Sequence, residues 1–176
     1  VKNDFEIRGD VTAIFINSPK YGTKEVIIST NKLKRAQEFA GSWRANWNQK
    51  AKAFYVQGHM PLGHCKYKGV QLHRWITDAP KGMQVDHINH DTLKNTDDNL
   101  RICTHSENQQ NRKGATSNNK SSGIRGVSWN ISDKRWQVRI RFNNKRVHLG
   151  NFTQIEEAEQ AVKEARAKYM PFSKDA

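Results

Sequence analysis

The run Asp86-His87-Ile88-Asn89-His90-Asp91-Thr92-Leu93-Lys94-Asn95-Thr96-Asp97-Asp98-Asn99-Leu100-Arg101-Ile102-Cys103-Thr104-His105-Ser106-Glu107-Asn108 sets the architecture at the centre of this chain. A short apolar run, Met83 to Val85, delivers an acid next to a histidine, and a polar loop follows. The chain returns through Asn99 and the alternating Leu100 and Ile102 as a second strand. Thr104 and Glu107 then have the spacing of a capping box, which places Asn108 in the first turn of a helix. Strand, loop, strand, helix is the expected outline, with two strand-borne groups and one helix-borne group converging.

Such a cluster suits phosphodiester cleavage. The scissile phosphate is anionic, so the site must neutralise charge and produce a nucleophile near neutral pH. Oxygen donors suit a hard divalent cation, and Asp86 with the amide oxygen of Asn108 would leave open positions for water and phosphate. A neutral His87 can take a proton from water once a hydrogen bond fixes its ring, and Asn99 on the returning strand is expected to do the fixing. A competing set, His87, His90, Cys103 and His105 around a structural zinc, lacks paired Cys-x-x-Cys spacing.

Asp86-His87, Asn99 and Asn108 match by order and spacing the H-N-H family of nucleases, whose ββα-metal fold is two strands and a helix around one divalent ion. The resemblance extends to the lead-in, Leu72-His73-Arg74 and Pro80 to Val85. It implies Asp86 and Asn108 as metal ligands and His87 and Asn99 as the catalytic pair. His73, Arg74, His90 and His105 are candidates for contacts behind the site or to phosphate. The last position of the motif is usually histidine and here is Asn108, as in the phage and intron-encoded branch. A neutral amide is a weaker ligand, which favours loosely held magnesium or manganese over zinc.

The 176 residues suffice for one ordinary domain or two small ones, and 35% hydrophobic content suits small modules better than one large core. The net charge is +13. Residues 1–72 carry 12 basic and 5 acidic groups, 73–113 carry 6 and 6, and 114–176 carry 12 and 6. Basic flanks around a neutral centre fit a division in which the flanks grip phosphates and the centre holds a cation. Duplex DNA is therefore the expected partner, with no membrane and no small-molecule substrate. Cys65 and Cys103 are isolated, which fits a reducing, cytoplasmic setting in a bacterial or phage-infected cell.

Before the centre, Val11 to Ile16 and Glu25 to Ile28 read as a hairpin. A helix capped by Thr30 or Asn31 carries Leu33, Ala36, Phe39 and Ala40, and Trp43, Ala45 and Trp47 alternate along a strand paired with Ala53 to Gln57. The tryptophans are expected in the core. After the centre, residues 113–122 have almost nothing to bury and read as a flexible basic linker, spanning roughly 18 Å as a coil. Three short strands follow at Gly126 to Trp129, Arg135 to Phe142 and Arg146 to Leu149, with an Asn143-Asn144 turn and a helix announced by Thr153 and Glu156. Trp136, Val138 and Ile140 alternate with Gln137, Arg139 and Arg141, one face apolar and the other cationic.

Arg125-Gly126-Val127, Trp136, Ile140-Arg141, Arg146-Val147-His148-Leu149-Gly150, Phe152 and Glu156-Glu157-Ala158 resemble the plant Apetala/ethylene-response-factor DNA-binding domain. That family reads the major groove with a three-stranded sheet, and the matching positions are Arg125, Ser128, Arg139, Arg141, Arg146 and His148. Ser128 and His148 differ in type from the family's frequent arginine and tryptophan, so base preference does not carry over.

The expected whole is an α+β chain. It has a β-rich supporting and DNA-gripping region at 1–69, a ββα-metal nuclease motif at 70–112, the linker at 113–122 and an Apetala-type reader at 123–176. Its expected function is a site-specific, metal-dependent DNA endonuclease of the homing or mobile-element kind. As a monomer or weak dimer with one site, it nicks. The rivals are a DNA-binding regulator with an inactive nuclease module and a restriction or repair nuclease.

Overall fold

The computed structural model describes residues 2–63, 66–116, 118–142 and 145–174. Cys65 and the expected Asn143-Asn144 turn lie outside the described residues. Strands account for 43% and helices for 21% of the chain, in several small sheets, so the fold is α+β as expected. The chain divides into two compact units, 1–105 and 106–176.

In the first unit β1 (Phe5–Arg8), β2 (Val11–Ser18) and β3 (Gly22–Ser29) form an antiparallel meander. A 3-10 turn at Thr30–Lys32 leads into α1 (Leu33–Gln37). The expected Thr30 cap is absent: its hydroxyl donates to the Gly9 carbonyl at 2.8 Å and ties the turn to the meander instead. A second antiparallel sheet follows, β4 (Arg44–Asn48), β5 (Ala53–Gly63) and β6 (Lys66–Gln71), and then α2 (Leu72–Thr77). The chain continues through β7 (Gln84–His87), β8 (Lys94–Asn95) and β9 (Leu100–Cys103).

A two-stranded ribbon such as β7–β9 cannot bury its apolar face alone. Val85 and Leu100 therefore join one core with Ile14, Ile16, Val26 and Ile28 of the meander, Trp43 and Val56 of the second sheet, and Leu72 and Ile76 of α2. This core includes residues on both sides of the boundary expected at 69/70. Trp43 is buried and stacks on Phe39 with ring centroids 4.2 Å apart. Gly58 makes this possible, because a Cβ there would lie 2.3 Å from the Phe39 ring. Trp47, expected in the core, is 40% exposed at the sheet's outer end.

The second unit contains most of α3 (His105–Gln110), the strands β10 (Val127–Asn130), β11 (Arg135–Phe142) and β12 (Lys145–Phe152), and α4 (Ile155–Tyr169). The strands pair in the antiparallel order β10-β11-β12. Val127, Val138 and Ile140 pack against Ala158, Val162 and Ala165 of α4, whose small side chains allow close approach. Gly126 has φ +87, and a Cβ there would meet the Arg139 carbonyl oxygen at 2.7 Å. The helix begins after Gln154 with no side-chain cap bond, so the expected Thr153 box does not form. The second half of the expected linker is fastened rather than loose. Asn119 Nδ2 donates to the carbonyls of Ile124 and Val127 at 2.8 and 2.7 Å, and Ser122 Oγ donates to Val127 at 2.6 Å.

Candidate active site

Asp86 and His87 end β7, where antiparallel pairing sets Asp86 opposite Arg101 and His87 opposite Leu100. Both are buried, at 8% and 6% exposure. The loop after His87 is held by the carboxamide of Asn99. Its Oδ1 accepts from the Asn89 amide at 2.9 Å, and its Nδ2 donates to the carbonyls of Asp91 and Lys94 at 3.3 and 2.6 Å. Asn99 is thus the clasp of the loop, and the ring-fixing contact expected of it is made by another residue.

That residue is Asn95. Its Oδ1 lies 3.1 Å from His87 Nε2, while its Nδ2 donates to the carbonyls of Thr92 and Leu93 at 3.3 and 3.1 Å. With the amide hydrogens spent on backbone carbonyls, the oxygen must face the ring, so Nε2 carries the proton and Nδ1 is the basic nitrogen. Asn95 is placed by β8, which pairs in parallel with β3, Ile27 opposite Lys94 and Ile28 opposite Asn95. A two-residue strand paired with a partner some 67 positions earlier leaves no periodic signal in the sequence.

Two further rings surround His87. The His73 ring is 5.1 Å away by centroid and Tyr55 on β5 is 6.4 Å away, while Tyr55 and His73 are 6.3 Å apart. Burial, then the neighbouring His87 and Arg74, pushes His73 down to about 3. Burial also lowers His87, opposed by the Asn95 hydrogen bond and by Asp86 and Asp91. Both imidazoles are therefore neutral at neutral pH. Burial, then the nearby Asp86 carboxylate, raises the Tyr55 phenol. Nothing in the sequence marks Tyr55.

Arg101 reaches across the ribbon to Asp86. Its Nε and Nη2 donate to Oδ2 at 3.0 and 2.7 Å, in a pair whose side chains are 21% and 9% exposed. The sequence gives Asn-Leu-Arg as part of the motif but not this pairing. Arg74 is used up locally: Nη1 donates to Met83 O at 2.6 Å and Nη2 to Ala79 O and Pro80 O at 3.3 Å, closing the α2–β7 connection. His90 sits at a left-handed turn with φ 66, its amide donating to His87 O. His105 opens α3, its Nδ1 3.1 Å from Gln84 Nε2. Asn108 lies on α3 within the second unit.

No group of three or more His, Cys, Asp or Glu suited to a metal occurs among the described residues, so the zinc set of His87, His90, Cys103 and His105 does not form. The buried Asp86 carboxylate is a hard oxygen donor, of the kind that suits magnesium or manganese rather than zinc.

On the second unit, register places Arg139 opposite His148 and Arg141 opposite Arg146, with Ser128 opposite Gln137. Directly opposed residues share a face. Ser128, Arg139, Arg141, Arg146 and His148 therefore lie together, all exposed, away from α4. Arg125 does not join them. Its Nη1 donates to Gln110 O and Arg112 O at 2.8 and 3.0 Å and its Nη2 to Gln109 O at 2.8 Å, capping the carboxyl end of α3.

The HNH endonuclease family model matches residues 70–110, the segment holding all of this site's strands except β3 and β5. Protein 3.8 of Escherichia phage T7 is 33% identical over 84 residues, 45% of this chain and 68% of the phage protein. An uncharacterised HNH endonuclease of Acanthamoeba polyphaga mimivirus is 42% identical over 67 residues, 35% of this chain and 34% of that protein. Residues 70–110 of the chain are an HNH endonuclease domain. No solved structure matches it. That domain marks the chain as of nuclease type, and no helix among its described residues is long and apolar enough to cross a membrane.

Proposed function

We propose that this HNH endonuclease is a site-specific, divalent-metal-dependent DNA endonuclease of the homing or mobile-element kind, which nicks as a monomer. The observation that carries the reading is the buried, neutral His87 whose ring Asn95 fixes beside Asp86. His87 Nδ1 takes the proton of the attacking water as the oxygen closes on phosphorus and the 3′ oxygen leaves. Asp86 and Asn108 hold the cation, which when bound supplies charge neutralisation on the phosphate. Magnesium or manganese suits these oxygen donors. Asn99 keeps the loop from collapsing on the site. Ser128, Arg139, Arg141, Arg146 and His148 read DNA as an Apetala-type sheet.

The test is relaxation of supercoiled plasmid with magnesium, manganese or chelator. Open-circular product that requires the cation supports the reading. Uncut plasmid under all conditions, with DNA binding intact, favours a regulator with an inactive module.

A further inference from the structure

Between Glu38 and Asp78 the chain holds Arg44, Lys50, Lys52, Lys66, Lys68 and Arg74 and no acid. Among these, Lys66 and Lys68 stand on the outer half of the β5–β6 ribbon. There His59, residues 61–63 and residues 66–69 are all exposed, whereas Val56 and Gly58 on the inner half are buried. The ribbon continues past the core. Near its end it carries two large, exposed apolar side chains, Leu62 and Tyr67, at 61% and 66% exposure. Tyr67 is paired with Pro61, and the register shift between Pro61 and Gly63 leaves Leu62 as the extra residue of a bulge.

Two apolar side chains fall far short of the roughly 800 Å² per partner that a stable protein interface needs. Their setting among cations without acids fits a polyanion that also offers apolar surface. Duplex DNA does so, and its major groove, about 12 Å wide, admits a two-stranded ribbon. We propose that the β5–β6 ribbon is a DNA-inserting arm, with Lys66 and Lys68 on backbone phosphates and Leu62 and Tyr67 seated against the bases. This rests on the proposed DNA substrate and adds to it where the arm falls. Tyr55, beside His87, and Gly63 lie on the same strand eight residues apart, a reach of about 26 Å at roughly 3.3 Å per residue. That is about seven to eight base-pair steps from the scissile phosphate.

The experiment uses the full chain, a labelled duplex containing the mapped cleavage site, and chelator to prevent cutting. Affinity is measured against salt for the wild type, Lys66→Gln with Lys68→Gln, and Leu62→Ala with Tyr67→Ala. Melting curves confirm folding. The lysine pair should flatten the salt slope by about two and lower affinity about tenfold or more at low salt. The apolar pair should keep the slope, lose affinity several-fold, and lose hydroxyl-radical protection about seven to eight base pairs from the cut. A wild-type slope and footprint in both variants would overturn the arm while leaving the nuclease reading intact. So would unchanged duplex binding combined with lost binding to phosphatidylglycerol vesicles. Wild-type protein that shows no salt-dependent duplex binding overturns the DNA substrate and the arm together.

Discussion

In the proposed mechanism His87 acts as a base through one nitrogen, and its contact with Asn95 determines which. His87→Ala should lower plasmid cleavage on the order of 100- to 10,000-fold while duplex binding is kept. Asn95→Ala should cost roughly 10- to 100-fold, because the ring loses its fixed tautomer. Burial holds His87 below the ordinary value of 6.5, which favours the neutral base. The acid limb of the cleavage rate should therefore be centred below 6.5, and a limb centred above 6.5 would count against His87. In the proposed site Arg101 and the cation would compete for the Asp86 carboxylate. Arg101→Gln should lower the manganese concentration that half-activates cleavage and also lower the melting temperature, since it leaves Asp86 buried without its guanidinium. An unshifted activation curve would mean that Asp86 does not hold the ion. The sequence exposes Asp86 and His87 by adjacency and motif, but Asn95 and Tyr55 reach the site from β8 and β5, whose approach depends on pairings made elsewhere.

At the scale of elements, α2 shows how packing turns a polar residue into a pH-dependent one. Its buried side is Leu72, His73 and Ile76. His73 is neutral in the fold, with a value of about 3 against 6.5 unfolded. The unfolded chain therefore binds the extra proton below pH 6.5. The stability that neutral His73 contributes is whole above 6.5 and is lost as pH falls towards 3, by up to about 1.4 kcal/mol per pH unit. In urea melts between pH 7 and 4, His73→Gln should lose stability less steeply than wild type; equal slopes would show that other groups carry the acid sensitivity. The helix itself is legible, ending before Pro80, and the hairpin β2–β3 follows from β-branched residues around a Ser-Pro and Gly turn. The α1 cap and the α4 capping box are not, because Thr30 bonds across to Gly9 and α4 starts without a side-chain bond.

Within the second unit, Arg125 bonds the carboxyl end of α3, whereas Arg139 lies on the exposed face of the sheet. Arg139→Gln with Arg141→Gln should reduce preference for the cognate duplex, each lost base-edge contact being worth roughly 1 to 3 kcal/mol, and should leave metal-dependent nicking in place. Arg125→Gln should instead fray α3, seen as faster amide exchange at Gln109 to Arg112, with little change in sequence preference. The reverse pattern would make Arg125 the reader. By itself the sequence determined the family motif, the α+β class, the basic flanks and the amphipathic strand β11. These depend on local periodicity, charge and spacing, which a chain carries before it folds. Only the tertiary structure decided that the leading region and the nuclease strands share one core, that 119–122 are fastened to the second sheet, and that Asn95 rather than Asn99 meets His87. Each of these is settled by burial and hydrogen-bond satisfaction between segments distant in sequence. A two-stranded ribbon borrows its core from whatever packs on it, and a carboxamide bonds to whichever partners the surrounding backbone brings within reach.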